Sequence, residues 1–342
     1  MRKKTKRGVS YLILCFWAVS LFYFYSPSAQ AQDHIYSQYY KVPEAINPAF
    51  SGISENGRIG AAFRSQWSGF ENAYRTYSLG YNQYFRRINS GFGLLAMVDN
   101  QGDGILTQSK VSAFYSYRIH INSKTFIQSG IEIGGVQSRL DWSKLVFGNQ
   151  IDPILGPIGQ GQAGGDGQRT SEDSKTYLDI GFGLLFSSPS FFAGFGLKHL
   201  NNANVGFLDN PGPSGARYPV LYSLLIGTDF QVFSNDQNRL KPNLLFAGQK
   251  DLYQLNVGLH YTFGQWSSGL YYRHNSSFSD AVQVHFGFNF ENFSFGYSFD
   301  FTLSKLADHT KGAHEFTLLL QIDNNGNRRN VNYSDCLNLF RH

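Results

Sequence analysis

The chain has little of what usually holds an exported soluble protein together. Its 342 residues include only two cysteines, Cys15 and Cys336, ten prolines and two methionines, and only 15% are charged. Cys15 lies inside an apolar stretch from Tyr11 to Tyr25, behind five basic residues (Arg2, Lys3, Lys4, Lys6 and Arg7) and ahead of Ala29-Gln30-Ala31. A basic start, a short apolar run and an A-x-A site make a secretory signal peptide over 1–31, with cleavage after Ala31. The run is too short for the roughly 20 residues of a membrane helix. Removing the segment leaves Cys336 alone, which excludes an internal disulfide in the exported chain. It also removes the whole formal excess of +5. The basic pI therefore belongs to the targeting segment, and nucleic acid is excluded as a partner. No later apolar run approaches the length of a helical span, so a membrane-embedded chain would have to cross with strands.

Aromatic residues (16%) and 36 glycines are abundant. Their arrangement has period two. Tyr253, Leu255, Val257, Leu259, Tyr261 and Phe263 alternate with Gln254, Asn256, Gly258, His260 and Thr262. The same pattern runs through 282–290 and 293–302. Weaker versions occupy 58–66, 73–85, 90–98, 105–120, 123–139, 176–188, 189–200, 217–233, 239–249, 265–274 and 311–322, giving fourteen candidate strands. A soluble sandwich pairs an aliphatic face with a charged, wet one. Here an apolar face with aromatic ends opposes a face of Gly, Ser, Asn and Gln, as in a barrel with lipid outside and a polar lumen. Alternate connections are short (86–90, 120–123, 187–190, 264–266, 291–292), with 234–238 somewhat longer, whereas 140–175, 201–216 and 303–312 are long. The expectation is an all-β, closed antiparallel transmembrane β-barrel of about 14 strands over 58–322, with short periplasmic turns and longer extracellular loops. It would follow a periplasmic segment over 32–57 and precede a periplasmic tail over 323–342.

Several ordered motifs carry a family resemblance: HIYSQYY (34–40), INPAFSG (46–52), AAFRSQWSGFENAYRTYSLGY (61–81), GFGLLAMVDNQGDGILTQSKVSAFYSYRI (91–119) and GYSFDFTLSKLADHTKGAHEF (296–316). Together they resemble the PorP/SprF family of outer-membrane proteins from the type IX secretion and gliding motility systems of Bacteroidota. The resemblance implies a cell-surface, protein-transport role: a barrel in outer-membrane lipid that anchors or assists export of a secreted adhesin with a type B C-terminal signal, alongside periplasmic motor or ring components. It implies no catalysis and no cofactor. Two departures are visible: Ala73-Tyr74-Arg75-Thr76 stands where the family often has Ala-Pro-Lys/Arg-Thr, and the chain continues past Ile322 into a tail containing Phe340.

Candidate chemistry is sparse. Asp308, His309, His314 and Glu315 cluster in eight residues, but the two histidines are five apart across Gly312 and do not match a helical His-Glu-x-x-His site. They read as a solvated loop and the start of the last strand, with Asp308, His309 and His314 as possible partner contacts. Glu315 has lumen parity, and an interior cation such as Arg273 is its expected partner. His260 and His285 have the same parity and read as hydrogen-bonded interior residues. Asp99–Gly104 is oxygen-rich but lacks a twelfth-position Glu, so a hairpin tip accounts for it better than a calcium loop. Trp67 and Phe70 fit either an interfacial girdle or a partner contact. A passive porin, and behind it an outer-membrane hydrolase, are the alternatives to the anchoring role.

Overall fold

The computed structural model describes residues 33–54, 56–69, 74–145, 151–152, 154, 156–157, 173–207, 216–232, 238–276, 280–303, 310–322, 337 and 340. Residues 1–31 therefore lie outside the described residues, as do Phe70, Asp308, His309, most of loop 140–175 and half of loop 201–216.

Fourteen antiparallel strands form one closed barrel. They are β1 (Gly57–Gln66), β2 (Tyr74–Phe85), β3 (Ser90–Gln101), β4 (Leu106–His120), β5 (Phe126–Leu140), β6 (Ser174–Ser187) and β7 (Phe191–Lys198), then β8 (Leu221–Thr228), β9 (Asn238–Gln249), β10 (Leu252–Phe263), β11 (Trp266–Asn275), β12 (Ala281–Phe290), β13 (Phe293–Thr302) and β14 (Ala313–Ile322). Consecutive strands pair as hairpins, and β14 returns to β1 with Gly57 opposite Ile322 and Gln66 opposite Ala313. Closure leaves no sheet edge, the condition for strands to cross lipid with every backbone group paired.

Side-chain parity sorts the two faces. Leu79, Leu94, Val111, Leu270 and Phe286 point outward and are more than half exposed, while Ser112, Gln128, Glu132, Asn256, His285 and Glu315 point inward and are buried. The outer face carries aromatic contacts near the strand ends, including Phe85 with Phe92, Phe92 with Tyr115, and Trp266 with Phe288. Rings gathered at the turn end of the strands match one of the two interfacial girdles of a membrane barrel. Short turns close one end, for example Asn89 (φ 50°) after 86–88, and Glu291 (φ 46°) between β12 and β13. The long connections gather at the other.

The segment expected as one strand over 217–233 is interrupted. β8 stops at Thr228, and a two-residue piece, Phe230–Gln231, resumes pairing with β9 in the same register. In that register the gap lies opposite Lys241, and Pro242, which has no N–H to donate to a ladder, lies opposite Thr228 at its edge. Asp229, in the gap, accepts a 2.8 Å hydrogen bond from Arg239 Nε.

Candidate functional site in the barrel lumen

A barrel of this strand number has room for a channel, yet the lumen is occupied by the chain itself. Residues 35–54 are buried, apart from a partly exposed Ala45, and pack against inward-facing strand residues. The expectation of a periplasmic segment over 32–57 is corrected accordingly. Ile35, Tyr36, Tyr39, Tyr40, Val42, Ile46, Phe50 and Ile53 are too apolar for a solvated linker and gain from leaving water. We call residues 33–54 the strap. The tail contributes as well: Leu337 and Phe340 are fully buried, and the Phe340 ring lies 4.8 Å from Phe50 and 5.0 Å from Phe192. At these two residues the tail is part of the lumen filling and not a periplasmic extension.

Toward the loop end, charge grips the strap. The backbone N–H groups of Ser37 and Gln38 each donate 2.8 Å bonds to the Glu315 carboxylate, and Ser37 Oγ donates to Asp300. Arg64 bridges both carboxylates, at 2.9 Å from Asp300 and 3.1 Å from Glu315. Arg273 binds Asp300 at 2.8 Å. The expected Arg273–Glu315 pair is therefore replaced by Arg64–Glu315. The reason is closure: β1 lies beside β14 with Arg64 directly opposite Glu315, whereas β11 is three strands away. A neighbouring network joins Lys110 to Glu132 and Asp179, Lys198 to Glu132 at 3.0 Å, and Lys198 Nζ to the strap carbonyl of Ala45 at 2.7 Å.

This network ends in a latch. The His199 ring lies 2.8 Å from Asp179 through Nδ1 and 2.5 Å from Asp33 through Nε2, while Tyr218 donates to the other Asp33 oxygen. Burial alone would lower the His199 pKa, but the adjoining Asp33 and Asp179 carboxylates outweigh it and push the ring up to about 9. Burial opposes ionisation of Asp33 too, yet the His199 charge and the His199 and Tyr218 hydrogen bonds hold its carboxyl well below the usual range.

Toward the turn end, small residues and shape take over from ion-pair networks. Asn47 caps the short helical turn Pro48–Phe50 by accepting from Ala49 N, and its amide donates to Leu184 O. Gln128 Nε2 donates to the carbonyls of Ala49 and Ser51 at 2.8 and 2.7 Å, Ser116 donates to Ser51 O, and Arg118 donates to Gly52 O. A track of glycines makes room. A Cβ at Gly130 would sit 2.5 Å from the backbone of Pro48 and Ala49, and one at Gly91 would sit 2.5 Å from Ser51 O. Between the two ends, Tyr39 and Tyr40 join a buried ring cluster with Tyr271, His260 and His285, and Tyr40 Oη is 3.1 Å from His285 Nδ1. Both histidines are interior ring partners. The cavity beside Lys41, Glu44, Arg58 and Phe114 measures about 20 Å³, room for a water but not for a solute.

The other sequence candidates do not converge. His314 faces outward, bonded to Tyr297 Oη at 2.9 Å and packed on Phe299, while its neighbour Glu315 faces the lumen. Trp67 (φ 60°) caps the outer end of β1, donating its backbone N–H to Gly312 O and meeting Tyr74 edge-on. Asp99 accepts from Thr76 and Gln101, and 102–104 form the β3–β4 tip. Sequence reasoning missed Asp33, Arg64, Glu132, Asp179, Lys198, His199 and Asp300. For all but Asp33, which belongs to the strap itself, the common signal was charge at lumen parity, or just past a strand end, facing an N-terminal segment too apolar to be wet.

The profile of the type IX secretion system membrane proteins PorP/SprF matches residues 28–320. The chain belongs to the PorP/SprF family. The match begins ahead of the strap and ends in β14, so strap and barrel belong to one family unit. Similar architectures occur in solved outer-membrane barrels. The toluene transporter TbuX of Ralstonia pickettii matches with a TM-score of 0.50 and 11% identity over 82% of this chain and 93% of that one. The toluene transporter TodX of P. putida gives 0.48 and 12% over 81% and 91%. Omp33 of Acinetobacter baumannii gives 0.44 and 8% over 80% and 100%. At 11% identity the TbuX match speaks to fold alone. Comparison with curated protein sequences gives no match. This PorP/SprF protein is thus an outer-membrane barrel associated with type IX secretion.

Proposed function

We propose that this PorP/SprF barrel is a non-catalytic, non-conducting platform that anchors, or assists export of, a secreted surface adhesin with a type B C-terminal signal and engages periplasmic motor or ring components. The observation that carries this reading is the filled lumen. A passive porin needs an open path, and here the strap, held from both ends by strand side chains, takes its place. Enzymatic chemistry finds no support in the cluster that first suggested it, because His314 and Glu315 project from opposite faces of β14. The loop end, with Trp67 just past β1 and His314 at the start of β14, is the proposed adhesin-facing surface, and the turns the periplasmic one; the candidate contacts Phe70, Asp308 and His309 lie outside the described residues.

The test is surface retention. Deleting the gene and restoring it in trans should abolish and then recover adhesin on intact cells, with adhesin and motor components co-purifying from detergent-solubilised membranes. Unchanged surface adhesin in the deletion strain, together with loss of small-solute uptake, would reject the platform in favour of a porin.

A further inference from the structure

The strap has a direction. At one end Asp33 N donates to Gln249, the last residue of β9, and the Asp33 carboxylate meets His199 and Tyr218, both beyond the loop end of β7. At the other end Ser54 O accepts from Tyr84 N, one residue before the turn end of β2, and the chain then enters β1 at Gly57. The segment therefore runs the length of the lumen, from long loops to short turns. Short turns face the periplasm in barrels of this kind and long loops face outward. We propose that the mature N-terminus emerges at the outer mouth of the barrel, and that removal of the signal peptide is the step that allows the strap to enter the lumen.

The second half follows from chain length. The apolar part of the signal ends near Tyr25, and the residues from there to Asp33 reach at most roughly 30 Å when fully extended. The hydrocarbon core alone is about 30 Å thick. An apolar stretch still held in the inner membrane cannot be joined by that tether to an Asp33 at the outer mouth. Cleavage frees the end, and the latch then fixes it: Asp33 is gripped by His199 and Tyr218, with His199 held in turn by Asp179, whose own partner is Lys110. The inference rests on the orientation used in the proposed function and on cleavage after Ala31.

The experiment is thiol labelling of the full chain on intact cells with a membrane-impermeant maleimide, in a Cys15→Ser, Cys336→Ser background. Gln32→Cys reports the N-terminus, Ser143→Cys, exposed at the loop end, marks the outside, and Ser123→Cys, in the β4–β5 turn, marks the periplasm. The thiol at position 32 should label on intact cells to the same extent as that at 143, while 123 labels only after lysis. Labelling at 32 only after lysis, with 143 still reactive on intact cells, overturns the threading. Label at 123 and silence at 143 on intact cells overturns the orientation instead, so the two failures are distinguishable. Adding Ala29→Arg and Ala31→Arg, which keep the signal attached, should abolish the surface label at 32; persistent label on the uncleaved chain overturns the licensing step.

Discussion

The two halves of the lumen hold the same strap by different physics. At the loop end Arg64, Arg273, Asp300 and Glu315 form a buried, mutually neutralising set around Ser37 and Gln38. At the turn end Gly91, Gly130, Gly183 and Gly194 clear a bed for residues 47–52, whose carbonyls accept from Gln128, Ser116 and Arg118. Buried charges tolerate no loss of a partner, because the remaining charge stays unpaired in a poor solvent. A close-packed bed tolerates no gain of volume. The contrast teaches that one strap can be fixed at one end by compensation and at the other by exclusion.

The charged end should break hardest. Arg64→Met leaves Asp300 and Glu315 without their bridging cation and should destabilise the folded barrel by about 3–5 kcal/mol, read by urea titration in lipid vesicles. Arg273→Met, which strips Asp300 of only one of two cations, should cost clearly less; equal losses would mean that the bridge across β1, β13 and β14 is not the organising contact. At the glycine end, Gly130→Ala should cost about 1–3 kcal/mol and raise protease cleavage within the strap. Gly135→Ala, where an added Cβ meets nothing within 4 Å, should stay within about 0.5 kcal/mol. Matching effects at 130 and 135 would remove the packing explanation.

The latch gives the smallest effect, visible through pH. His199 is raised above its ordinary 6.5, so its contribution is complete below that value and fades as pH rises through about 9. Asp33 is lowered from 3.8, so its contribution is complete above that value and fades only as pH falls further. The strap should be held most firmly between about pH 4 and 6.5, and its proteolysis should increase as pH passes 9. In His199→Asn that increase should vanish, with strap cleavage already raised at pH 6.

Much of the barrel was legible. Strands such as 253–263 and 293–302 announce themselves because lipid outside and polar groups inside impose period two, and the turns at 264–265 and 291–292 fall where the alternation stops. Parity also placed His260, His285 and Glu315 inside. The strap was not legible by that logic. Its short turns at Pro43–Ala45 and Pro48–Phe50 have no strand period, and nothing in a strand's alternation says what fills the space it faces. The Glu315 partner was missed for a related reason: Arg64 becomes its neighbour only when the last strand closes on the first, a contact 251 residues apart in sequence. The apolar run from Ile35 to Ile53 was the available clue, since a wet periplasmic segment has no use for it.

Whether the strap closes the pore can be read by single-channel recording in planar bilayers. The intact protein should be silent, and an in-frame deletion of residues 33–54 should conduct with graded size exclusion. Steady conductance by the intact protein, unchanged by that deletion, would mean that the strap does not close the pore.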